Sequence, residues 1–120
     1  MIPKFRVLDK ETKSMWNIER WHVEDEYFDL IEPNKNIADP NANRVWRKQS
    51  NVILMQSTGL KDKNGVEIYE YSELDGAYEV IFKDLRYSLR HIQNNDIIDL
   101  YDYWRGKNGE IEVTREYTNV

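Results

Sequence analysis

The chain has 120 residues, a formal net charge of −5 and an isoelectric point near 5.1. That size suits a single domain, residues 1–120, whose folding should bury about 65% of the unfolded surface. The acidic mean field opposes nucleic acid and anionic membrane except through a local basic patch. The absence of cysteine excludes a disulfide framework, a thiolate nucleophile and any cysteine-based zinc site.

Apolar residues make up 40% of the chain and the mean hydropathy is −0.82. Fifteen aromatics (four Trp, eight Tyr, three Phe) offset this, each able to bury roughly 150–250 Å², so an aromatic-heavy core is expected. No apolar run is long enough to span a bilayer. Met1-Ile2-Pro3-Lys4-Phe5 lacks the apolar centre of a signal peptide, so a cytoplasmic location is expected.

Lys4–Leu8 alternates and predicts a first strand. Asp9–Lys13 reverses the chain, and Ser14–Ile18 returns to complete a hairpin. Trp21–Ile31 reads as two short strands meeting at the acidic turn Glu24-Asp25-Glu26. Glu32–Asn43 holds two of the three prolines and little that could pack. It reads as a long loop that is either mobile or used by a partner. Arg44-Val45-Trp46-Arg47-Lys48 then leads into the most strongly instructed stretch, Val52–Glu70.

Val52-Ile53-Leu54-Met55 suits a buried strand, and Ser57-Thr58-Gly59 is expected to end it. Gly59 would supply the positive φ of a reversal. Leu60 is expected to act as a plug fixing the loop to the core. Asp62-Lys63-Asn64-Gly65 is a turn by mechanism: Asp bonds the backbone two residues on, and Asn-Gly accepts left-handed conformations. Val66 and Ile68 should then face one way, with Glu67 and Tyr69 opposite.

Ala77–Phe82 and Leu85–His91 predict a second hairpin, with Leu85, Tyr87 and Leu89 on the inner face. Asn94-Asn95-Asp96 turns the chain. Ile97–Trp104 fits either helical spacing or an aromatic strand, and a short helical or irregular segment is expected. Ile111, Val113, Arg115 and Tyr117 alternate in a last strand.

Three blocks carry a resemblance to a known family. ILMQSTGLKDKNGVEIYE, the opening MIPKFRVLDKETKSMW and the later NNDIIDLYDYW are similar, in that order, to the YopX family of phage and prophage proteins of Gram-positive bacteria. The chain departs from the family pattern at Leu8 and at Tyr71-Ser72-Glu73-Leu74. The resemblance marks Gly59, Leu60, Asp62, Asn64, Gly65, Ile68 and Tyr69 as motif residues with structural roles. It implies a mainly β fold: a small SH3-like antiparallel barrel with additional hairpins and at most one or two short helical segments. The spacing of turn signals agrees with a folded-over antiparallel sheet. The family has no settled activity. The resemblance implies a homo-oligomer in the bacterial host cytoplasm, for which Trp16, Trp21 or Trp46 would be anchors if exposed.

No catalytic motif appears, and no cofactor is expected. His22 and His91 have no paired context and read as strand or surface histidines. Asp96, Asp99 and Asp102 recur every third residue and could share a helical face that holds Mg²⁺; a solvated acidic face is the plainer reading. Arg44, Trp46, Arg47 and Lys48 resemble a nucleic-acid contact, since rings stack bases and cations hold phosphate. The plainer reading is an edge strand protected by charge. Together these features predict a non-enzymatic phage or prophage accessory protein that binds itself and an unidentified phage or host protein. The alternative is a nucleic-acid-binding small β-barrel in phage DNA metabolism or regulation.

Overall fold

A computed structural model describes residues 4–117, which fall into two compact units, the first ending at Met55 and the second covering Gln56–Tyr117.

In the first unit, β1 (Phe5–Asp9), β2 (Ser14–His22), β3 (Tyr27–Ile31) and β4 (Arg44–Lys48) form a meander, and β1 is flanked on its other side by β5 (Val52–Lys61). The N-terminal hairpin forms as the alternation predicts, but Trp21–His22 is the end of β2 rather than a separate short strand, so β2 itself turns at the acidic Glu24-Asp25-Glu26 into β3. β4 lies at the sheet edge. Val7, Phe28, Leu30 and Val52 form the core, with Trp16, Ile18, Trp21, Val45 and Leu54 packed around it.

The loop between β3 and β4 is stitched down. Glu32 and Asn43 pair across its neck through backbone and side-chain hydrogen bonds. The Arg44 guanidinium donates to the carbonyls of Ile37, Asp39 and Ala42 while also bonding Glu19 at 2.8 Å.

The second unit contains the later half of β5, β6 (Glu67–Tyr69), and a five-stranded antiparallel sheet ordered β10-β9-β8-β7-β11. Its members are β7 (Glu73–Leu74), β8 (Tyr78–Lys83), β9 (Arg86–His91), β10 (Ile97–Asp99) and β11 (Val113–Arg115), with α1 (Leu100–Gly106) after β10. Ile68, Leu74, Val80, Tyr87, Leu89, Leu100 and Ile111 make its core, and Leu60 packs against them, from within β5 rather than from the loop the sequence predicts. Among the described residues the helical content is α1 and one 3₁₀ turn at Gln49–Asn51. No helix there is long and apolar enough to cross a membrane.

Four local expectations are corrected. Gly59 makes no reversal: β5 runs unbroken to Lys61. Ser57 pairs with Tyr69 and Lys61 with Glu67, so β5 carries two more residues than β6 over that interval and bulges. Gly59, at φ 81°, absorbs the kink. Hydroxyls replace the lost ladder bonds: Ser57 Oγ accepts from the Gly59 amide at 3.0 Å, and Thr58 Oγ1 accepts from Leu60 at 3.2 Å while donating to the Ile68 carbonyl at 2.7 Å. Gly59→Ala should cost about 1–2 kcal/mol, because a side chain is strained at that φ; urea unfolding would measure it.

Leu85 does not face inward. Lys83 pairs with Arg86, leaving Asp84 and Leu85 as a two-residue turn at φ 53° and 64°, which throws the leucine into solvent at 91% exposure. In β6, Ile68 and Tyr69 are both buried while Val66 lies outside the strand and is exposed. Finally, the most deeply buried side chains are aliphatic: Phe28 is the one ring among those that are almost wholly enclosed. Tyrosines and tryptophans collect at the margin of each core because their polar tips need a partner or water. Trp104 Nε1 donates to the Lys61 carbonyl, and the Tyr87 hydroxyl to that of Ser57.

The segment Ile97–Trp104 takes both forms that its sequence allows. Ile97–Asp99 pairs with β9, then Asp99 caps α1 by accepting from the Asp102 amide at 3.0 Å. The last strand is shorter than predicted, Val113–Arg115.

Candidate binding surface

β4 alternates. Val45 and Arg47 turn toward the sheet's packed side, and Trp46 turns away, 60% exposed. Cross-strand register sets Trp46 opposite Asp29, and Tyr27 opposite both His22 on β2 and Lys48 on β4. The outer face of three strands therefore gathers His22, Tyr27, Asp29 and Trp46. His22 stacks on Tyr27 with centroids 4.0 Å apart, and its Nε2 lies 2.8 Å from Asp29 Oδ2. Tyr27 meets Trp46 edge-on, at 6.1 Å and 79°. Tyr27, Asp29 and Trp46 line an open notch of about 370 Å³.

The other candidate nucleic-acid residues are placed differently. Arg44 is spent on the loop and Glu19. Arg47 Nε bonds Asp9 at 3.0 Å and Glu11 at 2.7 Å, and its Nη1 donates to the Trp46 carbonyl. Lys48 is exposed. The structure thus brings Arg44, Trp46, Arg47 and Lys48 onto one strand, but two of its three cations serve internal carboxylates.

Asp9 is fully buried. Burial pushes its carboxyl up, but the Thr12 hydroxyl, the Glu11 and Thr12 amides and Arg47 outweigh that and hold it below the ordinary 3.8. Asp62 follows the same logic. Burial raises it, while the amides of Val113, Val66 and Asn64, with the charge of Lys63, bring it below 3.8. Burial, assisted by the charges of Glu70 and Tyr101, pushes the Tyr87 hydroxyl up to about 12. Burial and the hydrogen bond to Asp75 raise Tyr103. Each displaced group is held in an internal contact that fixes a turn or a strand.

Among the described residues no three His, Asp or Glu side chains are placed to hold a metal ion. Asp96, Asp99 and Asp102 do not share a helical face, because α1 starts only at Leu100 and Asp99 is its cap. Both histidines lie in strands, as expected.

A family model described as YopX protein matches residues 4–113. The chain belongs to the YopX family. A solved structure with the same fold is protein EF1440 from Enterococcus faecalis, at TM-score 0.64 and 23% identity, covering 98% of this chain and 94% of that one. No curated protein matches.

Asp62, Asn64, Gly65, Ile68 and Tyr69, which the resemblance marks, lie in one structural node. Asp62 Oδ1 accepts from the amides of Asn64 and Val66 at 2.9 and 2.8 Å, and Oδ2 from that of Val113 at 2.9 Å. Gly65, at φ 79°, closes the turn by donating to the Asp62 carbonyl. Ile68 is core and Tyr69 is buried beside Ser57. The outer-face group around Tyr27 escaped sequence reading. Its signal was the spacing Tyr27-x-Asp29 facing x-Trp46-x-Lys48, which becomes a cluster only once the strand register is known.

Proposed function

We propose that this YopX-family chain is a phage- or prophage-encoded accessory protein, with no chemistry of its own, that self-associates and binds another protein in the bacterial cytoplasm. The observation that carries the reading is the tip of the β8–β9 hairpin. Leu85 stands 91% exposed at φ 64°, a conformation that costs a side chain about 1–2 kcal/mol. Nothing among the described residues offsets that cost by burial. A second copy covering Leu85 would do so, and Phe82, exposed and in ring contact with Tyr87 at 5.0 Å, extends the same apolar patch. Lys83, Asp84 and Arg86 give it the mixed polar rim of an association surface.

The perturbed ionisable groups support a non-catalytic reading, since burial, neighbouring charges and structural hydrogen bonds account for them. Phage origin and location rest on the family resemblance. The SH3-like barrel belongs to the same proposal, for residues 56–117, where the later half of β5, β6, a five-stranded sheet and a short helix contribute to one core. Nucleic-acid binding is the weaker alternative, because Arg44 and Arg47 are already paired and the chain is acidic.

Leu85→Gly tests the proposal with two opposite signs. It creates the Asp-Gly dipeptide that this turn geometry favours, so the single chain should gain about 1 kcal/mol in urea unfolding. Light scattering at high micromolar concentration should show an assembly for the wild type and a monomer for the variant. A monomeric wild type, or a variant that still assembles, would overturn self-association through this tip.

A further inference from the structure

We propose that the β8–β9 tip of one copy enters the open cleft beside the same tip on a second copy, and that the exchange is reciprocal. This exchange rests on the self-association proposed above and supplies its receptor. The cleft, about 440 Å³, is lined from β9, β10 and the end of β8, next to the turn that carries Leu85. Its floor is Ser88. Alternation along β9 sends Tyr87 and Leu89 into the core and Ser88 to the opposite face. The serine is nevertheless only 4% exposed, and its hydroxyl has no hydrogen-bond partner among the described residues. A buried hydroxyl left in that state is costly. Exposed Ile97 and half-buried Ile98 give the cleft an apolar side.

The tip carries what the cleft lacks. Leu85 is bare, and among the described residues the Asp84 carboxylate has no ion pair and the backbone groups of both turn residues have no partner. The cleft in turn holds cations that the chain barely uses. Lys83 has no ion pair among the described residues, and Arg86 Nη1 reaches Asp99 Oδ2 only at 3.8 Å, while Asp99 Oδ1 caps α1. Leucine to isoleucine, Asp84 to Lys83 and Arg86, and a tip backbone group to the Ser88 hydroxyl are matched pairs, and a two-fold axis makes each of them twice. Charge selects a second copy as the occupant. The lining carries two cations, Lys83 and Arg86, and two carboxylates, Asp84 and Asp99. Two chains of net charge −5 therefore meet there across a locally neutral patch, whereas a polycation or a polyanion faces two like charges.

Charge-swapped chains test the exchange. Asp84→Lys sets a basic tip against a basic cleft. Lys83→Glu with Arg86→Glu sets an acidic tip against an acidic cleft. By light scattering, each alone should assemble at least about tenfold more weakly than the wild type, because like charges are juxtaposed. Mixed in equal amounts they should associate with near wild-type affinity, since every tip then meets a cleft of opposite charge, and mixing does not repair a folding defect. The wild type supplies a second readout, which decides if a charge variant does not fold. In an equimolar mixture of ¹³C-methyl-labelled and unlabelled chains, intermolecular NOEs should join the methyls of Leu85 to those of Ile97. A wild type that assembles without those NOEs, or folded charge variants that assemble alone as the wild type does or fail to rescue each other, would overturn the exchange and leave association through Leu85 standing. A monomeric wild type would remove both.

Discussion

Asp62→Ala should destabilise the chain by about 3 kcal/mol, read as a lower urea midpoint at unchanged slope and a thermal midpoint lower by roughly 10–20 °C. The buried carboxylate holds the amides of Asn64, Val66 and Val113, two in its own turn and one from a strand 51 residues away in sequence. Removing it orphans all three donors, and water can reach only those of the turn cheaply. Asp62→Asn separates the contributions. An amide oxygen can serve Asn64 and Val66, but its NH₂ then faces the Val113 N–H, so about half of the loss should remain. The pH dependence has a fixed sign. The folded carboxyl titrates below the unfolded 3.8, so its contribution is complete above that value and disappears as pH falls through the folded pKa. Asp62→Ala should therefore flatten the acid limb of the stability curve.

Asp62 also shows which parts of this molecule sequence alone discloses. Its turn is local chemistry: Asp at the first position and Asn-Gly later name the bonds to Asn64 and Val66 from residue order alone. The bond to Val113 is invisible in that order, because nothing in the sequence says which strand will pass the second carboxylate oxygen. Gly59 failed for a related reason. A glycine with positive φ serves a reversal or a bulge equally well, and the choice rests on whether Ser57 and Thr58 hydroxyls can replace ladder bonds, which depends on β6 lying alongside. Leu85 departs from its predicted inner position because period-two alternation runs on past the strand end into a turn whose length is set by the pairing of Lys83 with Arg86. Most strands and turns, and the packing of Leu60 on the core, are thus legible from local pattern. The surface around Tyr27 was not, since His22, Asp29 and Trp46 meet only through the register of three strands.

Arg47→Ala supplies the sharpest contrast between a binding residue and a structural one. If Arg47 were a nucleic-acid contact on a solvated strand, its loss would shift stability within about 0.5 kcal/mol and weaken single-strand binding. The structure makes it the cation of a fully buried carboxylate, Asp9, with Glu11 completing the bridge. Truncation leaves that charge enclosed with only the Thr12 and Glu11 donors, so a loss of about 2–3 kcal/mol is expected in urea unfolding at neutral pH. Arg47→Met keeps the apolar stem and should show nearly the same loss, which assigns it to charge rather than packing. Asp9 titrates below 3.8 in the folded chain. The difference between wild type and Arg47→Ala should therefore be full above that pH and shrink as pH falls through the folded pKa, where the carboxylate is protonated in both. A difference independent of pH down to that point would place the role of Arg47 in packing. A stable variant that had lost affinity for single strands would return the residue to the nucleic-acid reading and take the structural one away.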